Sequence, residues 1–339
     1  MSRILELFNT KKIVNYLRDR EYPKMLGEEL FPERKEDDLD FEILKEGSKL
    51  PVVASVHAFD TESEIGSREA EEMAIEACLI KRKLPLREKE IIKLEHPRTD
   101  KEEKYLIQKI YSRDIDNLVL GVKARVEVMR MEVLSKGTVT LDENGLKAVI
   151  DYGVPEEHQA TQVDWTTSTE NPIQDIIDWV NVMDEKPARA LTSTTVLGKI
   201  LRHPTTISAL YGKDATRIPT VAELNTYLEA LGLPKIYTYD KKYRKQGANG
   251  KYTVHRYLPE DAFVMFPDYP LGETLYGPTA EEIRLINDPT TKIEEVGNIL
   301  AMVYEEGKDP VATWEKAVAT AVPTFPYADE VFQAEIKLV

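Results

Sequence analysis

The sequence predicts an α+β protein in which two compact bodies follow long extended segments. Three observations favour this class: helical apolar spacing between Thr99 and Gly137, a β-hairpin signal at Asn144-Gly145, and alternating helix and strand patterns from about residue 171 onward. A chain of 339 residues is also long enough for two or three separate cores.

The first fifty residues are the least like a packed body. A short helical piece at 4–17 is followed by a segment that is dense in charge and broken by Pro23, Gly27 and Pro32. Such a segment buries too little apolar surface by itself to offset the entropy lost when it becomes ordered. We therefore predict that residues 1–50 form an extended arm that needs a partner surface.

Residues 51–95 predict a long projecting hairpin. They begin with a β-like run at 52–59, continue with an acidic stretch, and end with a basic stretch at 81–93. Either charged stretch alone is typical of a solvated face. An acidic and a basic stretch within one projecting hairpin together favour an interface.

A long amphipathic helix is predicted from about residue 100 to 136. Thr99 with Glu102 or Glu103 offers a capping box, and Gly137 suits the position just past a helix end. The spacing is not a clean heptad and no long helical partner is present, so we expect a helix that lies across a sheet rather than a coiled coil. Its apolar positions recur at intervals of three, four and, once, eight: Leu106, Ile110, Leu118, Val122, Val126, Met129 and Val133.

The chain after this helix predicts a β-hairpin and then a second body. Apolar and polar residues alternate on both sides of Asn144-Gly145, a dipeptide that accepts the positive φ angles of a type I′ turn. Asn171 then begins a helix, and helices alternate with strands to about residue 267, which indicates a mixed sheet. Residues 331–339 predict a final strand that returns to the first body.

Charge and composition exclude several classes of function. Sixty acidic residues against forty-five basic ones give a formal charge of -15, which argues against coating DNA through phosphate neutralisation. The single Cys78 cannot form an internal disulfide, and we interpret it as a small buried hydrophobic residue. No apolar run approaches membrane-spanning length, so we expect no membrane association.

The sequence offers no catalytic, cofactor-binding or metal-binding residues. It has no GxGxxG, GxxxxGK[ST] or GxSxG motif, and its five histidines are scattered without an HExxH or HxxxH pair. One basic patch, KKYRKQGANGK at 241–251, has two interpretations. It is either a phosphate-contacting loop or a solvated loop between two strands, and we favour the second in so acidic a protein.

Three segments carry a resemblance to a known family. LFPERKEDDLDFEILKE at 30–46, LPVVASVHAFDTESEIGSRE at 50–69 and LIKRKLPLREKEIIKL at 79–94 look like the phage major capsid protein E family. The passage MEVLSKGTVTLDENGLKAVIDYGVP at 131–155 is similar to that family as well. The similarity runs nearly end to end and is weaker between about 190 and 320.

The resemblance implies the HK97-like phage capsid fold. It also implies a major capsid protein of a tailed double-stranded DNA bacteriophage, which self-assembles into an icosahedral shell and has no enzymatic activity. The parts it implies are an N-terminal arm at 1–50, an E-loop at 51–95, a peripheral domain at 96–170 and 322–339 with a spine helix at about 100–136, and an axial domain at 171–321.

The resemblance also implies the partners. We expect pentamers and hexamers of the chain itself, scaffolding and portal proteins, and, as an open alternative, a decoration protein. Packaged double-stranded DNA would be enclosed without sequence-specific binding, and no cofactor is expected. The protein would be made in the host cytoplasm and would reside in the virion.

Opposite charges in the arm and the loop suggest contacts between copies. Residues 28–46 contain nine acids and three bases, and residues 81–93 contain six bases and two acids. We hypothesise that the basic stretch of one copy docks on the acidic stretch of a neighbour. The first candidates for these contacts are Glu36, Asp37, Asp38, Lys81, Arg82 and Lys83.

Three other interpretations remain. A bacterial encapsulin would share the fold but enclose protein cargo. A nucleic-acid-binding protein would use residues 241–251, and a hydrolase would need a carboxylate site somewhere in 171–320. Assembly into particles separates the capsid interpretation from the last two.

Overall fold

A computed structural model of the chain describes residues 2–45, 71–143, 145–167, 169–247, 249–287, 296–306 and 312–338. The chain divides into two compact units. The first comprises Met1–Phe41, Ile75–Glu127 and Glu273–Thr324, and the second comprises Glu42–Ala74, Val128–Gly272 and Phe325–Val339. None of the helices in the described ranges is long and apolar enough to cross a membrane.

Helices and strands are numbered in chain order. Those before residue 137 are α1 (Arg3–Leu7), α2 (Thr10–Asp19), α3 (Leu26–Leu30), β1 (Glu33–Lys35), β2 (Asp40–Lys45), β3 (Glu71–Glu76), β4 (Cys78–Pro85), α4 (Glu88–Glu95), α5 (Asp100–Lys109) and α6 (Asp116–Lys136). Those between 137 and 272 are β5 (Thr138–Glu143), β6 (Leu146–Asp151), β7 (Gln159–Val163), α7 (Pro172–Val182), β8 (Arg189–Thr192), α8 (Thr194–Arg202), α9 (Pro204–Tyr211), α10 (Val221–Ala230), β9 (Lys235–Thr238), β10 (Lys242–Gln246), β11 (Tyr252–Arg256) and β12 (Ala262–Phe266). The remainder are β13 (Thr274–Gly277), α11 (Ala280–Ile286), β14 (Leu300–Glu306), β15 (Ala312–Pro323) and β16 (Phe332–Ile336).

The predicted long helix is confirmed. α5, a π-helical segment (Ile110–Ile115) and α6 run without a break from Asp100 to Lys136. The Thr99 side chain accepts a hydrogen bond from the Glu102 backbone N–H, and Gly137 has a φ of 66°, as the cap and stop signals indicate. All seven predicted apolar positions are buried.

The π-helical segment accounts for the one irregular interval in the apolar pattern. A π-turn adds about one residue to a helical turn, so buried side chains five apart share a face. Ile110 and Ile115 have this spacing and are both buried, and Leu118 follows Ile115 by an ordinary three. The interval of eight from Ile110 to Leu118 is therefore one π step and one α step.

The first unit contains a five-stranded sheet. β15 pairs with β13 and β14 along one edge and with β4 along the other, and β1 pairs in parallel with β13. Val122 on α6 belongs to the same buried cluster as Ala317 and Ala319 on β15. The small side chains of β15 thus let the helix approach the sheet, and the prediction of a helix across a sheet is confirmed for this unit.

The amino-terminal segment differs from the predicted extended arm. Residues 2–41 pack within the first unit, where Ile4, Phe8 and Ile13 join the main core and Leu30 and Phe31 are fully buried. These apolar side chains are spaced among charged residues, and burying them stabilises the segment. The prediction missed this because it considered the high charge of the segment as a whole.

The predicted hairpin of residues 51–95 is also placed differently. The two strands that pair are β2 and β3, so the outgoing strand starts well before residue 51, and the predicted run at 52–59 lies outside the described residues. β4 and α4, which carry the basic stretch, belong to the first unit instead. The cross-strand hydrogen bonds of β15 hold β4 there.

The predicted β-hairpin after the long helix is confirmed. β5 and β6 are antiparallel with Glu143 opposite Leu146, which leaves a two-residue loop. Gly145 has a φ of 86°, the left-handed region that a type I′ turn requires. Asn144 lies outside the described residues.

The second unit contains the predicted mixed sheet, in the order β7-β16-β12-β8-β9. Its outer pairs are parallel and its inner pairs antiparallel. α7 covers one face, and Trp179 on it stacks on Phe332 with ring centroids 5.1 Å apart. The carboxy-terminal strand β16 therefore lies inside this sheet, between β12 and β7, and not in the first unit.

Candidate intersubunit surfaces

The acidic candidates lie on a turn at the surface of the first unit. The Glu36 backbone N–H donates to the Tyr276 carbonyl at 2.8 Å, which extends the pairing of β1 with β13. Asp38 Oδ1 then accepts from the Leu39 backbone N–H at 2.7 Å and fixes the turn. A Cβ atom on Gly277 would lie 2.6 Å from the Asp38 carbonyl oxygen, so this close approach requires glycine.

Only part of the acidic stretch is available to a neighbour. Glu28 and Glu33 approach Lys123 Nζ at 3.1 and 3.5 Å, so both share one internal cation. Glu36 pairs with the nearby Arg34 guanidinium at 2.8 Å. Asp37 and Asp38 are exposed, which makes this turn the part of the stretch best placed to meet a cation.

The basic candidates lie on β4, where the pairing with β15 fixes them. Lys81 is opposite Val318, Arg82 is opposite Ala317, and Lys83 is opposite Lys316. All three basic residues are exposed. Within the described residues β4 pairs on one side only, so it is an edge strand of this sheet. Charged side chains on an edge strand commonly prevent unspecific strand pairing, which is the structural alternative to a binding role.

The three basic side chains divide between the two faces of the strand. The Arg82 Cδ atom lies 3.7 Å from the position that a Cβ on Gly121 of α6 would occupy, so its stem lies over the long helix. Lys83 Nζ lies 4.1 Å from the centre of the Trp314 ring, on the opposite face. Lys81 shares the face of Lys83 because strand side chains alternate.

The two sets of candidates lie in one unit but are not joined there. Asp37 and Asp38 form no ion pair with Lys81 or Lys83 in the part of the chain that the structure describes. The same described ranges contain no group of three or more His, Cys, Asp or Glu side chains with the geometry of a metal site. Cys78, at the start of β4, is partly buried, and burial raises the pKa of its thiol.

The basic patch at 241–251 is a β-ribbon and not only a loop. β10 and β11 pair antiparallel over five residues each, and residues 247–251 connect them. The alternation of KYRKQ and YTVHR is the signal that predicts two strands here. The prediction missed these strands because it considered only the high charge of the segment.

Comparison with known proteins agrees with this architecture. The sequence pattern of the family described as phage major capsid protein E matches residues 9–333. A crystal structure of a protein assigned as the capsid protein of a prophage of E. coli CFT073 is similar, with a TM-score of 0.64 and 16% sequence identity over 97% of this chain and 99% of that one.

A second similar structure is a phage-related protein from Bordetella bronchiseptica RB50, with a TM-score of 0.51 and 13% identity over 96% of this chain and 95% of that one. Comparison with curated protein sequences gives no match. The chain has the HK97-like phage capsid fold, and the family match spans nearly the whole chain. The chain therefore belongs to the phage major capsid protein E family and is a shell-forming major capsid protein.

Proposed function

We propose that copies of this chain close into a shell through contacts between the basic strand β4 of one copy and the acidic turn at 36–38 of a neighbour. The observation that supports this most is the exposure of Lys81, Lys83, Asp37 and Asp38 on backbone segments that β13 and β15 hold in place. Exposed ion pairs contribute only about 0–1 kcal/mol each, so repetition around the shell would supply the avidity.

We also propose which unit corresponds to which part of the capsid fold. The first unit has the long helix up to Glu127 and a sheet, as a peripheral domain does, and the second unit has the mixed sheet of an axial domain. Relative to the predicted boundaries, this assignment moves residues 273–321 to the peripheral domain, and it moves residues 128–170 and 325–339 to the axial domain. The pairing of β13, β14 and β15 in one sheet, and of β16 with β12, supports the change.

We propose that the chain acts without catalysis, as a structural subunit in pentamers and hexamers. Its net charge of -15 would limit adhesion of packaged double-stranded DNA to the shell, and no sequence-specific contact with DNA is proposed. Scaffolding and portal proteins, and optionally a decoration protein, would act with it during assembly in the host cytoplasm.

A charge reversal on β4 tests the proposed contact. Lys81→Glu with Lys83→Glu should reduce the yield of assembled particles at least tenfold, because the neighbour's acidic turn would then meet two carboxylates. Arg82 is left unchanged because its stem lies over α6. The melting temperature of the free subunit should fall by only a few degrees, since the main loss is one exposed cation–π contact of about 0.5–1 kcal/mol.

The matched control is Lys101→Glu with Lys104→Glu, two exposed positions on α5 that change the net charge equally. Reversing Glu36 and Asp37 to lysine in the β4 variant should restore particles, and Asp38 is kept because its carboxylate holds the turn. Normal assembly of the β4 variant at every salt concentration would show that the basic residues only solvate an edge strand.

A further inference from the structure

The β-ribbon of β10 and β11 is a concentrated basic surface on an acidic protein. Residues 241–256 contain six basic residues and no acidic one, whereas the whole chain has a net charge of -15. The ribbon follows β9, an outer strand of the second unit's sheet, after three residues. The basic residues are Lys241, Lys242, Arg244, Lys245, Lys251 and Arg256.

One face of the ribbon combines positive charge with exposed apolar surface. Lys242 and Arg244 are two apart on β10, and Val254 lies opposite Arg244, so all three side chains share a face. The Arg244 guanidinium lies 5.3 Å from the Tyr252 ring centre on that face. Tyr252 is 53% exposed and Val254 is 62% exposed, so this face offers apolar contact surface beside its cations.

Arg256, opposite Lys242, shares this face and is neutralised, whereas the other two cations of the face have no carboxylate partner in the described ranges. Lys245 on the other face pairs with Glu143 at 2.6 Å, and Arg256 pairs with Asp240 and with Glu260. Lys242 and Arg244 have no carboxylate partner among the residues that the structure describes. A binding partner of the ribbon would therefore be negatively charged.

The same unit carries a segment of opposite charge. Residues 156–185 contain eight acidic residues and neither lysine nor arginine. Glu156 and Glu157 are exposed immediately before β7, and Glu170 and Asp178 are exposed at the start and on the outer side of α7. Val182, one turn after Asp178, is 44% exposed and offers an apolar contact within the acidic surface.

The topology separates the start of the acidic segment, before β7, from the ribbon within one copy. β7 and β9 are the two outer strands of the five-stranded sheet, so four strand spacings of about 4.8 Å place them roughly 19 Å apart. The acidic residues before β7 and the ribbon after β9 thus lie toward opposite edges. Complementary surfaces at opposite edges of one subunit form a heterologous contact, which joins copies head to tail and gives a ring when the rotation between copies closes.

We propose that the β10–β11 ribbon of one copy binds the acidic surface of the next copy, formed by Glu156, Glu157, Glu170 and Asp178. The inference rests on the proposed assembly into a shell and adds a second contact, in the second unit. A copy of the same chain fits better than nucleic acid, because the acid-rich chain repels phosphate but supplies its own complementary surface in equal number.

Charge reversal with compensation tests this contact. Lys242→Glu with Arg244→Glu should lower the assembled fraction, measured by sedimentation velocity, at least tenfold. Glu170→Lys with Asp178→Lys should do the same, and the variant that carries all four changes should recover at least half of the parental fraction. The control is Lys147→Glu with Lys213→Glu, two exposed positions elsewhere in the second unit, which should assemble as the parent does.

The outcomes separate this inference from the proposed function. If the ribbon variant assembles like the parent, or if the four-change variant keeps the parental melting temperature but does not recover, the ribbon contact is wrong and the contact through β4 is untouched. If the parent binds a 30-base-pair duplex and the ribbon variant loses only that binding, the partner is nucleic acid and the inference is overturned. A parent that never assembles contradicts both.

Discussion

Replacing Glu315 with glutamine should stabilise the free subunit by about 3–5 kcal/mol at pH 8.5 and by little at pH 4.5. Glu315 on β15 is only 2% exposed, and its Oε1 atom has no hydrogen-bond partner. Burial, with the nearby Asp114 and Glu90 carboxylates, raises the pKa of Glu315 to about 8, and Lys109 offsets this only in part. Glutamine has nearly the same shape and cannot ionise.

The sign of the pH dependence follows from proton binding. Between about pH 4.5 and 8 the folded chain keeps a proton on Glu315 that the unfolded chain has lost, so the stability of the parent falls by up to about 1.4 kcal/mol per pH unit. Stability is highest below the unfolded pKa, and this contribution is lost once the pH passes the folded value of about 8. The difference between glutamine variant and parent should rise over the same window.

Urea titrations at several pH values, read by amide hydrogen exchange in β15, measure this difference in the first unit by itself. The control is Glu306→Gln, an exposed position on the adjacent strand β14, for which the difference should stay flat. Parallel pH profiles for parent and Glu315→Gln would mean that Glu315 is ionised in the folded chain at neutral pH.

Replacing Asp116 with alanine should destabilise the first unit by about 3–5 kcal/mol. Asp116 is 4% exposed and begins α6. Its carboxylate accepts hydrogen bonds from the Tyr16 hydroxyl at 3.1 Å and the Tyr22 hydroxyl at 2.9 Å, and it pairs with the Arg20 guanidinium at 3.0 Å. Alanine leaves two half-buried hydroxyls and one cation without this shared acceptor.

The loss should be concentrated in the amino-terminal segment that these contacts hold. Hydrogen exchange of residues 10–22 should become faster by at least tenfold in the Asp116→Ala subunit, while the second unit keeps its parental protection. Tyr22→Phe is the graded control, since it removes one hydrogen bond and should cost only about 1 kcal/mol. Equal protection of 10–22 in parent and Asp116→Ala would exclude Asp116 as the anchor of this segment.

Local sequence signals predicted the elements that depend on local physics. The long helix follows from the cap at Thr99, the stop at Gly137 and the apolar stripe between them, and the β5–β6 hairpin follows from Asn144-Gly145. The π-helical segment was not predicted, although the interval of eight after Ile110 marks it. A π-helical turn shifts the spacing of the buried apolar residues by about one position but does not change which residue types occur.

Long-range pairing could not be predicted in the same way. β1 is three residues long and pairs in parallel with β13, about 240 residues away, so no local pattern indicates it. β7 is five residues long, lies in a polar passage and pairs with β16, far away in the sequence. Residues 2–41 pack against a core that α6 and β15 provide. The charge of the segment gives no indication of this core.

The sequence predicts which charged residues form the candidate surfaces, but it does not predict where they lie in the fold. The sequence identifies the acidic and basic stretches, yet it places the basic one on a projecting hairpin, whereas Lys81 and Lys83 lie on a strand of the first unit's sheet. Internal pairing of Glu28 and Glu33 with Lys123 also requires the fold to be known. Charge runs therefore indicate that a surface interacts, and the register of the strands decides which residues it presents.

We propose that copies of this chain assemble into shells through the charged surfaces of β4, the turn at 36–38 and the β10–β11 ribbon. Electron microscopy of the purified chain, with sedimentation velocity across protein and salt concentration, tests it most directly. We expect closed shells, tubes, or rings of five or six copies. A monomer that persists at every protein and salt concentration, while remaining folded, would contradict assembly through these surfaces.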